Sequence, residues 1–309
     1  MWLVALALLA AGEKETHEPA RDRLTAIECL GEKTLIGASD YLHLMHRDET
    51  GWHASQIGSG YRGPWRAPDG RLFTSDGADG GVLVRGFREG DTKPQLWMVP
   101  EPGVLRFALL DGNIVATDKA RMYRLAPDGG VTDIGPPPYG PRLFRAWEPP
   151  VLVGSKAGPI ICTSTTLMEA NHTMGFCRGP QSPRYEYRVE FDSNFISKDE
   201  DRYGNGAEPF ACGEVLISAR KPGTQARRLA DGALMGRARL YARKGSACLP
   251  DGRVLIVDRR EVGTFASPDL RPLWHRKLPV TVQSATFCGG KIAILPTSTP
   301  DLTFIEVPP

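Results

Sequence analysis

The sequence lacks most of the features from which an activity is usually read. Its six histidines (His17, His43, His46, His53, His172 and His275) have no partner at a recognised spacing, and no Gly-x-Ser-x-Gly elbow, His-Glu-x-x-His pair or phosphate loop is present. Catalysis, if any, must use residues distant in sequence. Net charge is almost absent as well. With 38 basic and 36 acidic side chains the balance is +2, which gives no overall electrostatic case for nucleic acid or an anionic membrane. The longest apolar run, residues 2–11, is half the roughly 20 residues that a helix needs to cross a bilayer. Beyond it, no stretch of eleven or more residues combines helical spacing of apolar positions with freedom from Gly and Pro.

The short apolar run ends in Ala10-Ala11-Gly12, small side chains of the kind signal peptidase tolerates, so residues 1–12 read as an export signal. No cysteine follows it for lipid attachment. The mature chain is expected to be secreted or periplasmic, with no transmembrane segment. What the sequence has in quantity is turn formers: Gly 34 and Pro 26, about a fifth of the chain together and spread along it, against typical usage of about 7% and 5%. Many tight turns between short strands use this composition.

The turns recur. Gly31, Gly70, Gly112, Pro149, Gly213, Gly252 and Gly290 each sit between an apolar run and a β-branched one, as in CLPDGRVLIVD, and they stand 39, 42, 37, 64, 39 and 38 residues apart. A period near 40 is the length of a four-stranded propeller blade. Asp-Gly between two strands favours a tight hairpin, because Gly takes positive φ at little cost. A small sheet has two apolar faces to cover, and stacking sheets around an axis covers both. The expectation is all-β: a seven-bladed β-propeller of mostly four-stranded antiparallel blades over residues 24–309. A β-sandwich also uses many short strands but offers no reason for the period. The 64-residue gap is expected to hold an insertion within about 157–207, and residues 13–23 are candidates for closing a last blade with room for only three strands. This pattern of turns is similar to that of the Trp-Asp repeat propellers and their bacterial extracytoplasmic relatives. The resemblance implies a shape and transfers no functional residue.

Cys29, Cys248 and Cys288 stand an even number of residues before their corners, and Cys212 joins them if Glu214 ends its turn. That places all four on the same strand face, so they read as small buried thiols, with a Cys29–Cys288 bond open if the first and last blades meet irregularly. Cys162 and Cys177 close a short loop at the start of the long interval and are expected to form a disulfide. No cysteine pair has zinc spacing, and no metal site is assigned. Calcium is possible at 199–205, where oxygen donors alternate.

In a propeller the turns between second and third strands can vary without disturbing the sheets. Here they carry Asp40, Asp76 with Asp79, Asp118-Lys119, Ser155-Lys156, Arg220 and Asp258-Arg259. These form the candidate ligand-binding rim. Acidic groups concentrate on the second, third and sixth units and basic ones on the fourth and fifth, an arrangement suited to a small polar ligand, a glycan or a protein. The aromatics Trp65, Phe107, Trp147, Phe210 and Phe287 on the entering strands pack between blades or face the funnel. The first functional reading is a non-catalytic extracytoplasmic binding propeller. Alternatives are a calcium-assisted hydrolase or lyase of a sugar or lactone, with Asp76, Asp118, Asp258 and His172 as first acid–base candidates, and a structural propeller that docks through its insertion loop.

Overall fold

The computed structural model describes residues 24–39, 41–59, 65–66, 71–91, 93–100, 105–110, 113–117, 121–136, 151–153, 160–167, 172–178, 189–192, 207, 209–220, 222–299 and 302–308. The described residues contain strands and turns and no helix, arranged as seven antiparallel sheets in sequence order.

Sheet 1 comprises β1 (Ala26–Gly31), β2 (Thr34–Ala38), β3 (Tyr41–Arg47) and β4 (Trp52–Ser59); sheet 2 comprises β5 (Trp65–Arg66), β6 (Leu72–Ala78), β7 (Gly81–Phe87) and β8 (Gln95–Val99). Sheet 3 holds β9 (Arg106–Leu110), β10 (Asn113–Thr117), β11 (Met122–Leu125) and β12 (Val131–Gly135). Sheet 4 holds β13 (Val151–Val153), β14 (Ile160–Leu167), β15 (His172–Arg178) and β16 (Val189–Asp192). Sheet 5 follows with β17 (Phe210–Cys212), β18 (Val215–Arg220), β19 (Gly223–Arg228) and β20 (Leu234–Ala238). Sheet 6 has β21 (Ala247–Cys248), β22 (Val254–Val257), β23 (Glu261–Phe265) and β24 (Pro272–Lys277). Sheet 7 has three described strands, β25 (Val282–Cys288), β26 (Lys291–Pro296) and β27 (Thr303–Glu306).

Burial explains the sequence pattern. Second strands lie mid-sheet with a neighbouring sheet on each face, so both alternating sets of side chains are covered and the strand reads as one apolar run. All four residues of β22 are buried, as are five of the six in β18 and in β26. Fourth strands lie outermost: β24 is exposed at five of its six residues. First strands are innermost, where β1 meets β25, β9 meets β13 and β17 meets β21. Gly245, just before β21, shows how close the chains come there: its φ is +97° and a Cβ would lie 2.2 Å from the Ala285 carbonyl oxygen of β25.

Apolar clusters fill the gaps between sheets. Leu42, Leu72 and Phe87 lie between sheets 1 and 2, and Phe73, Trp97 and Tyr123 between sheets 2 and 3. Val215, Ile256 and Phe265 join sheets 5 and 6, Leu255 and Ile294 join 6 and 7, and Ile27, Met45 and Leu295 join 7 to 1. Contacts of β9 with β13 and of β16 with β18 link sheets 3, 4 and 5, so each sheet has a neighbour on both sides and the ring closes. At closure the Ile27 N–H donates to Ser284 Oγ at 3.2 Å and the Cys29 N–H to Thr286 Oγ1 at 3.0 Å.

Two expectations are corrected here. The cysteines read as thiols form disulfides: Cys29–Cys288 across the closure, with Cα atoms 5.5 Å apart, and Cys212–Cys248 between sheets 5 and 6, at 5.1 Å. The parity argument failed because corners differ in length. In β1 the pairing shifts between Cys29 and Gly31, an irregularity that turns Cys29 toward sheet 7. In sheet 6 the corner spans 249–253, closed by the Leu249 N–H to the Arg253 carbonyl at 2.8 Å, rather than a two-residue Asp-Gly turn. Each bond thus joins the last residue before one sheet's first turn to the first strand of the next sheet. The second correction concerns the fourth corner. Val151–Val153 is the first strand of sheet 4 and pairs with β14, so Pro149 stands before the first strand and not between the first and second. Pro149-Pro150 followed by Val-Leu-Val imitates a turn and leaving strand, whereas the strand that leaves is β14. The 157–207 stretch contains β14, β15 and β16. Residues 13–23 lie outside the described residues.

Candidate functional site

Successive strands alternate in direction, so the turns between second and third strands share one face of the ring with the connections from each sheet to the next. The candidate rim lies on this face. Of its members, Asp40, Asp118, Lys119, Ser155 and Lys156 lie outside the described residues.

Asp76 is the most constrained rim residue. β6 pairs with β7 so that Thr74 faces Arg85 and Asp76 faces Leu83, which puts Asp76 diagonal to Arg85 on the side toward sheet 1. Arg85 Nη1 donates to Asp76 Oδ2, and both side chains are largely buried, at 14% and 6% exposure. Burial pushes the Asp76 carboxyl above the ordinary range, and Arg85 opposes the shift. The covering residue on β4 is Gly58, where a Cβ would stand 2.8 Å from Asp76 Oδ2. Asp76 is therefore an interface ion pair with little access to a ligand. Asp79 stands exposed in the following turn.

Asp258 is committed to the backbone. It accepts from the Tyr241 N–H at 3.0 Å and the Arg259 N–H at 2.7 Å, and pairs with Arg243 at 3.3 Å. It ties the turn of sheet 6 to the connection arriving from sheet 5. Arg259 is exposed beside it, and Arg220 is half-buried at the end of β18. The described rim residues are thus spread over sheets 2, 5 and 6, and no three His, Cys, Asp or Glu among the described residues come together as a metal cage. Residues 199–205 lie outside the description. His172 begins β15, with no side-chain geometry described. His43 is buried and His46 exposed, on opposite sides of β3, as the strand period requires.

Cys162 and Cys177 are direct cross-strand partners in β14 and β15; their side chains, and hence the expected bond, lie outside the described residues. The entering-strand aromatics pack between sheets. Trp65, Phe73 and Phe107 pack with ring centroids 5.6–5.8 Å apart, and Phe210 and Phe287 lie against the clusters flanking sheet 6. Trp147 lies outside the described residues.

Sequence reasoning missed a charged group on the inner strands. Glu28 on β1 accepts from Thr286 Oγ1 of β25 at 2.9 Å and faces Arg66 of β5, whose Nε is 3.6 Å away. Arg66 Nη2 is buried with no partner among the described residues. Burial pushes the Glu28 carboxyl up, outweighing Arg66, the Thr286 hydrogen bond and Lys244, which all favour the ionised form. The available signal was the lone acid in the apolar run AIECLG. Because its pKa is raised in the folded chain, the folded state holds the proton more tightly than the unfolded chain. Glu28 therefore contributes stability at low pH that is lost as pH rises through the raised value. Glu28→Gln should flatten the dependence of melting temperature on pH above the ordinary carboxylate range, as followed by circular dichroism; an unchanged slope would contradict this assignment.

On the opposite face, a groove of about 560 Å³ opens at the seam of sheets 1 and 7, lined by Glu32, Lys33, Arg47, Glu49, Lys291 and Phe304. Its charges are mixed. Arg47 lies over the Phe304 ring at 5.9 Å, and Lys291 pairs with Glu306 at 3.4 Å.

No family model matches the chain, and no curated protein matches it in sequence. Solved structures do match. The WD40 β-propeller domain of Doa1 aligns with a TM-score of 0.56 at 11% identity, over 96% of this chain and 97% of that one. The chain is a β-propeller. A second structure, BBS1N in complex with ARL6DN, aligns with a TM-score of 0.55 at 11% identity over the same shares. Identities this low carry the fold and nothing finer. The propeller's charges must therefore be read from its own residues.

Proposed function

We propose that this propeller is a non-catalytic extracytoplasmic module that binds a protein on the face carrying the second-to-third-strand turns. One observation carries the reading: on sheets 5 to 7 this face is held by backbone bonds while its long side chains point outward. The Arg243 N–H donates to the Val257 carbonyl at 2.9 Å, Leu278 N–H to Arg260 O at 2.8 Å, and Val282 N–H to Arg259 O at 2.7 Å. Asp258 adds its bond to the Tyr241 N–H. Arg239, Lys244, Arg259 and Arg260 are exposed above this frame. A surface ordered before binding loses less entropy on association. The BBS1N structure, itself a complex with ARL6DN, is a protein of similar fold that holds a protein partner. The two disulfides and the apolar run at residues 2–11 support an oxidising, extracytoplasmic setting.

Photo-crosslinking tests the reading. A crosslinker in place of Arg260 should yield discrete protein adducts in the compartment where the chain resides, and one in place of Glu49, on the opposite face, should not. Adducts at neither position, together with saturable binding on a glycan array or turnover of a lactone or glycoside with added calcium, would overturn it.

A further inference from the structure

The rim face is not evenly charged. The connection into sheet 6, the turn after β22 and the end of β24 bring together Arg239, Arg243, Lys244, Arg259, Arg260 and Lys277, against two acids on the same described segments, Asp258 and Glu261, with the buried Glu28 of β1 within reach of Lys244. Both acids are engaged within the sector. Asp258 holds Arg243 and two backbone N–H groups, and Glu261 lies 3.4 Å from Arg239 and 2.9 Å from His275. The sector keeps an excess of four positive charges in a chain whose total is +2, so the remainder of the molecule is net acidic. Five of the six cations are exposed, and Arg239 shows 76% of its side-chain surface. Charges gathered within about one screening length add their potentials at the surface, whereas scattered ones do not.

We infer that this sector docks an acidic polypeptide segment, a run rich in Asp and Glu. The inference rests on the protein-binding reading above and specifies the partner's chemistry. Four of the six cations are arginines, whose planar forks match carboxylates two bonds at a time. The sector offers little to other polyanions. Tyr241 is buried beneath Arg243, whose guanidinium lies 5.5 Å from the ring centroid, and the His275 ring is held by Glu261 at 2.9 Å, which leaves little ring face on which bases or sugars would stack. Leu240 and Leu278 are buried too, leaving no large apolar side chain to enter a lipid surface. What remains is charge on a fixed backbone frame, suited to an extended chain of carboxylates.

The test measures binding of poly-L-glutamate to the full chain against ionic strength, beside heparin, duplex DNA and phosphatidylserine vesicles. Poly-L-glutamate should bind saturably and weaken steeply with salt. Arg260→Glu/Lys277→Glu should lose at least tenfold, and Lys33→Glu, on the opposite face, should bind as the unaltered chain does. Both variants alter exposed side chains, and an unchanged melting curve verifies folding. Absence of saturable binding, equal binding by the double variant, or tighter binding of heparin, DNA or vesicles would overturn the inference. If poly-L-glutamate fails while the crosslinker at Arg260 still captures protein, the acidic partner is wrong and the protein-binding face stands. If both fail, the face itself is wrong.

Discussion

Replacing Cys29 and Cys288 together with alanine is expected to cost ~5 kcal/mol of unfolding free energy and to lower the melting temperature by roughly 8 °C. The bond spans 259 residues, so on the chain-entropy account it restricts the unfolded chain more than almost any other cross-link in this sequence could. Cys212–Cys248 spans 36 and should cost about 4 kcal/mol, the smaller loss of the two. The ring should still form without the closure bond, because Ile27 and Cys29 keep their N–H bonds to Ser284 and Thr286 and the apolar cluster between sheets 7 and 1 remains. Urea unfolding of the two double variants gives the order directly. If the alanine pair at the closure does not accumulate, thermal melting of the native chain before and after reduction reads the same quantity. A larger effect from Cys212–Cys248 than from Cys29–Cys288 would count against a ring whose ends are the place most in need of a tie.

The second large effect is at the Asp76–Arg85 pair. Arg85→Met leaves a carboxylate under Gly58 with no counter-charge, and stability should fall by about 3 kcal/mol. Asp76→Leu/Arg85→Met removes both charges and should recover most of that loss, since a buried pair contributes little beyond an apolar replacement of similar size. The acid limb gives an independent check. In Arg85→Met the folded chain binds the Asp76 proton more tightly than the unfolded chain does, so the deficit should shrink as pH falls through the raised folded value. A deficit that grew in acid would mean that Asp76 is stabilised by something other than Arg85. An exposed rim ligand would behave differently: its removal would hardly change stability.

The architecture was legible in the sequence because the period of the corners reflects a physical need. Each sheet must cover two apolar faces, so the buried second strand recurs, as Val254–Val257, Val215–Arg220 and Lys291–Pro296 show, and in sheet 6 the outermost strand, Pro272–Lys277, is exposed. Details that depend on local irregularity were not legible. A shift in pairing near Leu30 reversed the direction of Cys29, and a five-residue corner did the same for Cys248, so residues that looked equivalent instead face one another. Pro149 looked like a corner because Val-Leu-Val follows it, yet that run enters its sheet. The site was less legible still. Asp76 and Asp258 are placed as rim residues by spacing, but whether an acid on a rim meets solvent or a neighbouring sheet is decided by partners such as Arg85, Gly58 and Tyr241, which lie on other strands. Glu28 and the cationic sector of sheet 6 have the same origin: they exist only once distant connections are brought side by side.

The central claim is a closed ring in which the first sheet lies against the last. Non-reducing peptide mapping by mass spectrometry tests it most directly, because only closure brings residues 259 positions apart within bonding distance. The expected digest contains the peptide of Cys29 joined to that of Cys288, and the peptide of Cys212 joined to that of Cys248. Cys29 found joined to any other cysteine, or recovered as a free thiol from the native oxidised protein, would contradict the ring.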